Sequence, residues 1–158
     1  MIQRIQTIYI LLSLICLSIV LFGHNVLIDF FGTTIERYKL TFFGISNQEQ
    51  VPLENGFNFP LYIFPIILIP LLVFAIFSFK NLKRQGLLIQ IALILYSLLI
   101  LLIVLIYFFN DIKIDNVKSN GIIGVGFYIL AIGLPFLYLA NNGIKRDKKL
   151  IDSLNRLR

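Results

Sequence analysis

The stretch "GIIGVGFYILAIGLPFLYLANNGIKRDKKLIDSLNRLR" occupies residues 121–158. Its first half carries no charged side chain and its second half is rich in Lys and Arg. A helix that crosses the ~30 Å hydrocarbon core of a bilayer takes about 20 predominantly apolar residues, and residues 121–140 supply them. Gly126, Gly133 and Ala140 recur there at seven-residue intervals. Small residues on one stripe let helix backbones approach closely. The pattern predicts a face turned into a helix bundle, with a contact between copies in a homo-oligomer as the second reading. "NNG" at residues 141–143 is expected to end this helix, and a second, amphipathic helix is expected to begin near Asp147. In that tail Leu150, Ile151, Leu154 and Leu157 form an apolar stripe, with Lys148, Lys149 and Arg156 off it.

Three further runs have the same character: residues 5–23, 60–79 and 86–109. None of the four contains Asp, Glu, Lys, Arg or His. Each Leu, Ile or Phe near a helix centre favours insertion by about 0.3–0.6 kcal/mol. Composition agrees, with 58% apolar and 14% charged residues in a chain of 158. A soluble domain has roughly 25% charged residues and could not cover this much apolar surface. The expected fold class is an all-α membrane protein, a bundle of four transmembrane helices forming one integral domain. The first run is read as a retained anchor, because its apolar region is long and no A-x-A-like cleavage site follows it.

Lys and Arg counts set the orientation. The N-terminus, the "KNLKRQ" connection and the tail together hold ten of them. The segments 24–59 and 110–120 hold four. Both termini are therefore expected in the cytoplasm of a bacterial cell, with the protein in its inner membrane and segments 24–59 and 110–120 outside. Arg4, Lys145, Arg146, Lys148, Lys149, Arg156 and Arg158 are the candidate membrane-surface or partner-docking residues, together with the leucine stripe. The anionic inner leaflet attracts such basic segments by about 1 kcal/mol per residue. A cytoplasmic or membrane protein docked on the leucine stripe is the alternative partner. No aromatic residue interleaves with the tail charges, so nucleic acid is not an expected partner.

In segment 24–59, Tyr38, Leu40 and Phe42 alternate with Arg37, Lys39 and Thr41. That period of two signals half-buried strand, and "DIKID" at residues 111–115 repeats it. A small antiparallel sheet of about three strands is expected on the outer face, with Gly32, "GISNQEQ" and "ENG" as turns. The repeated "FFG" is expected to be chance.

Prolines punctuate two of the apolar runs. Pro60 is expected to start its helix, whereas Pro65, Pro70 and Pro135 are expected inside helices, as packing kinks. Each interior proline leaves a carbonyl four residues back without its donor.

Chemistry is sparse. One cysteine, Cys16, excludes an intrachain disulfide and reads as a small buried thiol. One histidine, His24, is too few for a metal site. "GIIGVG" fails the spacing of a dinucleotide-binding glycine loop. Pumps and transporters place ionisable groups at membrane depth, and the four runs hold none. No catalytic residue, cofactor or metal is expected. The expected role is a non-enzymatic accessory or scaffolding subunit of an envelope complex. The alternatives are a small oligomeric permease or channel and a binder of lipid or another hydrophobic ligand.

The opening "MIQRIQTIYILL" and the ending "ANNGIKRDKKLIDSLNRLR" resemble the two ends of a family of small membrane proteins of Bacteroidota catalogued as domain of unknown function 4293. The resemblance covers the whole chain and implies four spans and no assigned activity. It directs attention to the cytoplasmic ends, where Gln3, Arg4 and Gln6 are expected to meet Asp147 or Arg156.

Overall fold

The structure, a computed structural model, describes residues 3–23, 25–31, 37–47, 61–109, 113–114, 117–118 and 120–156. Gly32, Pro60, Leu157, Arg158 and His24 lie outside the described residues. Four helices dominate: α1 (Gln3–Phe22), α2 (Ile63–Phe77), α3 (Leu82–Phe109) and α4 (Val125–Arg156). Each packs against two neighbours, α1 on α2, α2 on α3, α3 on α4 and α4 on α1. The α1–α4 contact is the most extensive.

The buried residues explain this arrangement. Along one stripe they are Gln6, Ile10, Ser13, Leu17 and Val20 in α1, with Leu21 buried beside it, and Pro65, Leu68, Leu72 and Ala75 in α2. In α3 they are Gln85, Ile89, Ala92, Tyr96, Leu99 and Ile103. In α4 the stripe runs through Gly126, Leu130, Gly133, Leu137, Ala140, Ile144 and Asp147. Every stripe advances by alternating steps of three and four. That mean spacing of about 3.5 residues keeps one face on its neighbours in a left-handed supercoil. The outward faces are as apolar as the core, as Ile8, Ile15, Leu87, Ile94 and Leu101 show.

Gly126, Gly133 and Ala140 are buried, and their partners are identifiable. A methyl group at Gly133 would collide with the Tyr96 hydroxyl and stand 3.4 Å from Cys16 Cβ. The Tyr96 hydroxyl donates to the Leu130 carbonyl at 3.1 Å. Gly126 faces the chain just after α1, where a methyl group would lie 2.9 Å from the Val26 carbonyl oxygen. There its N–H donates to that same oxygen at 2.9 Å, satisfying a first-turn donor of α4 that has no partner within the helix.

A four-stranded antiparallel sheet closes this end of the bundle, in the order β3-β2-β1-β6. Its strands are β1 (Ile28–Phe31), β2 (Arg37–Thr41), β3 (Gly44–Asn47) and β6 (Asn120–Ile123). The strands β4 (Lys113–Ile114) and β5 (Val117–Lys118) form a separate hairpin. Ile28 pairs with Leu40, and both are buried in the same core as the helix stripes, with Phe30 and Phe42.

Several boundaries differ from the sequence expectation. Residues 121–123 are strand, because β6 pairs along β1 with Gly121 opposite Phe30. "GIS" at residues 44–46 is strand rather than turn. The second "FFG" makes the β2–β3 turn, and Gly44 takes a φ of 129° that disfavours any other residue. Pro65 falls in the first turn of α2, where a missing N–H costs nothing. The carbonyl of Leu61, expected to lose its donor, accepts from the Phe64 N–H at 3.2 Å. Only Pro70 interrupts α2, which at 15 residues is shorter than the expected span and ends in a 3₁₀ turn (Ser78–Lys80). Pro70 and Pro135 are exposed on the bundle surface, while Pro65 is buried. The break expected at residues 141–143 is absent, since α4 runs unbroken for 32 residues.

Overpacking a core position costs about 1–3 kcal/mol. Gly133→Val is therefore expected to lower the thermal midpoint of the detergent-solubilised chain, while Ala131→Val, off the stripe, leaves it nearly unchanged. Ser13 Oγ is fully buried and meets no hydrogen-bond partner among the described residues. Removing an unsatisfied buried hydroxyl relieves a desolvation cost, so Ser13→Ala is expected to hold or raise the same midpoint.

Candidate functional site: the basic end of the bundle

The end of the bundle opposite the sheet gathers the start of α1, the start of α3 and the last third of α4. Two contacts fix it. A methyl group at Gly86, in the second turn of α3, would lie 3.4 Å from Ile144 Cγ2. Gln6 Nε2 donates to Asp147 Oδ2 at 2.6 Å, and both side chains are buried. The expected meeting of the two chain ends is thus made by Gln6 and Asp147. The side chains of Gln3, Arg4, Leu154 and Arg156 lie outside the described residues, although their backbones belong to α1 and α4.

This pair accounts for the continuity of α4. Glycine inside a helix costs about 1 kcal/mol relative to alanine, and Asn141 and Asn142 are poor helix formers. Yet a side chain at residue 143 would crowd Gln6, whose Cγ lies 2.9 Å from where a Cβ would be. Glycine there lets Gln6 pass across α4 to reach Asp147. A charge-assisted hydrogen bond on the far side then holds residues 143–147 helical. Sequence reading took "NNG" as a stop because local propensity pointed that way. Tertiary contact overrode it.

Around this buried pair stands a collar of cations. Lys83 and Arg84 from the first turn of α3, and Lys145, Arg146, Lys148 and Lys149 from α4, are all exposed. Leu150 and Ile151 are exposed too, at 56% and 43%. Sequence analysis named the α4 members and used Lys83 and Arg84 only for orientation. The packing of Gly86 on Ile144 brings them to the same level. Beyond Asp147, residues 148–156 extend as helix for about 13 Å at 1.5 Å per residue. This arm carries Lys148, Lys149, Leu150 and Ile151 on its surface. Asn141 is a further site residue that sequence reading missed: it is 7% exposed and its Oδ1 meets no partner among the described residues. Among those residues no group of three or more His, Cys, Asp or Glu is assembled as metal ligands.

Three of the helices, α1, α3 and α4, are long and apolar enough to cross a membrane. By the length and composition of those helices this is a membrane protein, with a small sheet at one end and a basic cluster at the other. The family model described as Domain of unknown function (DUF4293) matches residues 2–157, and the chain belongs to that family. No curated protein matches it.

A double-mutant cycle with Gln6→Ala and Asp147→Ala tests the buried pair. Interhelical hydrogen bonds in membrane proteins average about 0.6 kcal/mol and reach about 1.7. A coupling in the upper half of that range is expected in detergent unfolding. Additive effects would mean that the two side chains do not stabilise one another.

Proposed function

We propose that the chain is a four-span protein of the bacterial inner membrane, with both termini cytoplasmic. It serves as a non-enzymatic accessory subunit that presents a rigid basic arm to a protein partner. The observation that carries this reading is the unbroken passage of α4 through residues 141–143 into residues 148–156. A tail hinged at those residues would lie flat on the headgroups. A continuous helix of about 48 Å outruns the ~30 Å core and carries its end away from the bilayer.

Several features support the four spans. Alone, α2 covers about 22 Å. With the turn at residues 61–62 and the 3₁₀ turn that follows, which rises about 2 Å per residue, it approaches the thickness required. The cations Lys83, Arg84, Lys145, Arg146, Lys148 and Lys149 cluster at one end, and clustering of this kind on the cytoplasmic side is the general rule for membrane proteins. The exposed Leu150 and Ile151 next to Lys148 and Lys149 give the arm an apolar contact with a basic rim, the composition of a helix that docks in a groove.

Two measurements test the reading. Single cysteines at Ser153 and Ser46, in a Cys16→Ala background, are expected to react with impermeant maleimide from opposite sides of sealed inverted vesicles, with Ser153 reactive in these and Ser46 only after lysis. The reverse pattern would overturn the orientation. For the arm, a pull-down in mild detergent compares the full chain with one ended after Lys149, which keeps the Gln6–Asp147 bond. A stoichiometric partner lost on truncation is expected. Equal recovery from both would remove the arm from partner binding.

A further inference from the structure

We propose that the outer flank of the α3–α4 seam, at the basic end, is a binding site for one anionic phospholipid. This rests on the membrane placement proposed above. Two ridges face each other across the seam, pinned by the contact between Gly86 and Ile144. On α4, Asn141, Lys145 and Lys148 follow Ile144's side of the helix at steps of three and four, which places them one above another. On α3, Lys83, Gly86 and Gln90 do the same. Glycine at residue 86 lets the two ridges approach closely where they meet, one turn below Lys83, with Ile144 Cγ2 3.4 Å from where its Cβ would be. Lys83, Lys145 and Lys148 are exposed, and no ion pair joins them to a carboxylate among the described residues. The acid in their midst, Asp147, is turned to α1 and bonded to Gln6 at 2.6 Å. The three lysines outweigh this single carboxylate, and the cluster keeps a net positive charge.

Two observations select a lipid from among anions. First, Asn141 sits below the lysines with a buried, unpartnered Oδ1. The Nδ2 of an amide at that depth can donate to the ester carbonyls below a headgroup phosphate. Second, the α3 ridge continues from Lys83 into Leu87, Ile91 and Ile94, exposed at 61%, 47% and 64%. Phosphate-binding cations that run directly into an outward apolar track fit a headgroup with its acyl chain. An acidic protein approaching from the cytoplasm could meet the lysines but not the track. Basic pockets between membrane helices on the cytoplasmic side hold anionic headgroups in this way.

The test uses the full chain reconstituted with equal parts of phosphatidylglycerol and phosphatidylcholine, re-extracted in mild detergent, with retained lipid counted by native mass spectrometry. One phosphatidylglycerol per chain is expected, kept in preference to phosphatidylcholine. Lys83→Gln with Lys145→Gln is expected to cut its retention roughly tenfold or more. Asn141→Leu, which keeps every charge, is expected to reduce it as well. Arg146→Gln, on the other flank of α4, should leave retention unchanged, and a thermal midpoint near that of the natural chain checks folding of each variant. Equal retention of the two lipids, or equal loss with Arg146→Gln, would overturn the site. Alkaline extraction of the natural chain separates the two proposals. A chain that stays in the membrane but keeps no phosphatidylglycerol removes the lipid site alone, whereas a chain released by alkali removes both.

Discussion

The constraint on which the structure depends is close approach of helices whose outsides are as apolar as their insides. In water, burying the apolar face would drive the packing. In lipid that drive is absent, because acyl chains solvate Leu and Ile as well as a neighbouring helix does. What remains is dispersion between well-fitted surfaces and the occasional hydrogen bond. The chain meets this with small and polar residues on the buried stripes: Gln6 and Ser13 on α1, Gln85 and Ala92 on α3, Gly126, Gly133, Ala140 and Asp147 on α4. Small and polar residues thus mark the contacts between helices, on stripes otherwise as apolar as the outside.

The α1–α4 pair shows how these residues act together. Near the sheet, Asn25 Nδ2 donates to the Ile19 carbonyl at 2.9 Å, closing the end of α1. The next residues, Val26 and Leu27, accept from the N–H groups of Gly126 and Gly124 at 2.9 Å each. At mid-bundle Gly133 admits Tyr96 and borders Cys16. At the basic end Gln6 crosses Gly143 to Asp147. The two helices are thus tied near the sheet and at the basic end by groups that satisfy backbone or side-chain polarity, and meet closely at Gly133 in between, while Ser13 Oγ and Asn141 Oδ1 have no partner among the described residues.

Legibility in the sequence followed the physics of each feature. The apolar runs that became the four helices were plain, because a long uncharged segment stands out in any sequence. The stripe of Gly126, Gly133 and Ala140 was legible for the same reason that it works: only small residues stand out in a uniformly apolar helix. The companion stripes on α1, α2 and α3 were not, since Leu17, Leu68 or Ile89 cannot be told from the exposed Leu11, Ile66 or Ile91 by type. The period-two alternation around Leu40 revealed β2, but β6 was hidden. "NGII" continues an apolar run, and only its pairing with β1 makes it strand. The candidate site was half legible. Charge marked Lys145, Arg146, Lys148 and Lys149, but the role of Gly143 depends on a partner 137 positions away in the chain. Propensity favours a stop at such a residue, and no local rule can see Gln6.

Continuity of α4 has a mechanical consequence. The element begins where β6 ends, and β6 lies in the sheet beside β1, so one unbroken helix connects the sheet, the α1–α4 spine and the arm. By contrast, α2 is short, is interrupted by Pro70, and packs mainly against α1 and α3. Its contacts with the other helices are the least extensive of the four, so displacement of one helix against the others falls most easily on α2. The spine keeps the sheet and the arm in a fixed relation across the bundle. An arm meant only to rest on headgroups would gain nothing from that rigidity, because a surface helix needs freedom to settle. Continuity of this kind suits the partner role proposed above, in which the arm holds a protein at a set position relative to the sheet at the other end.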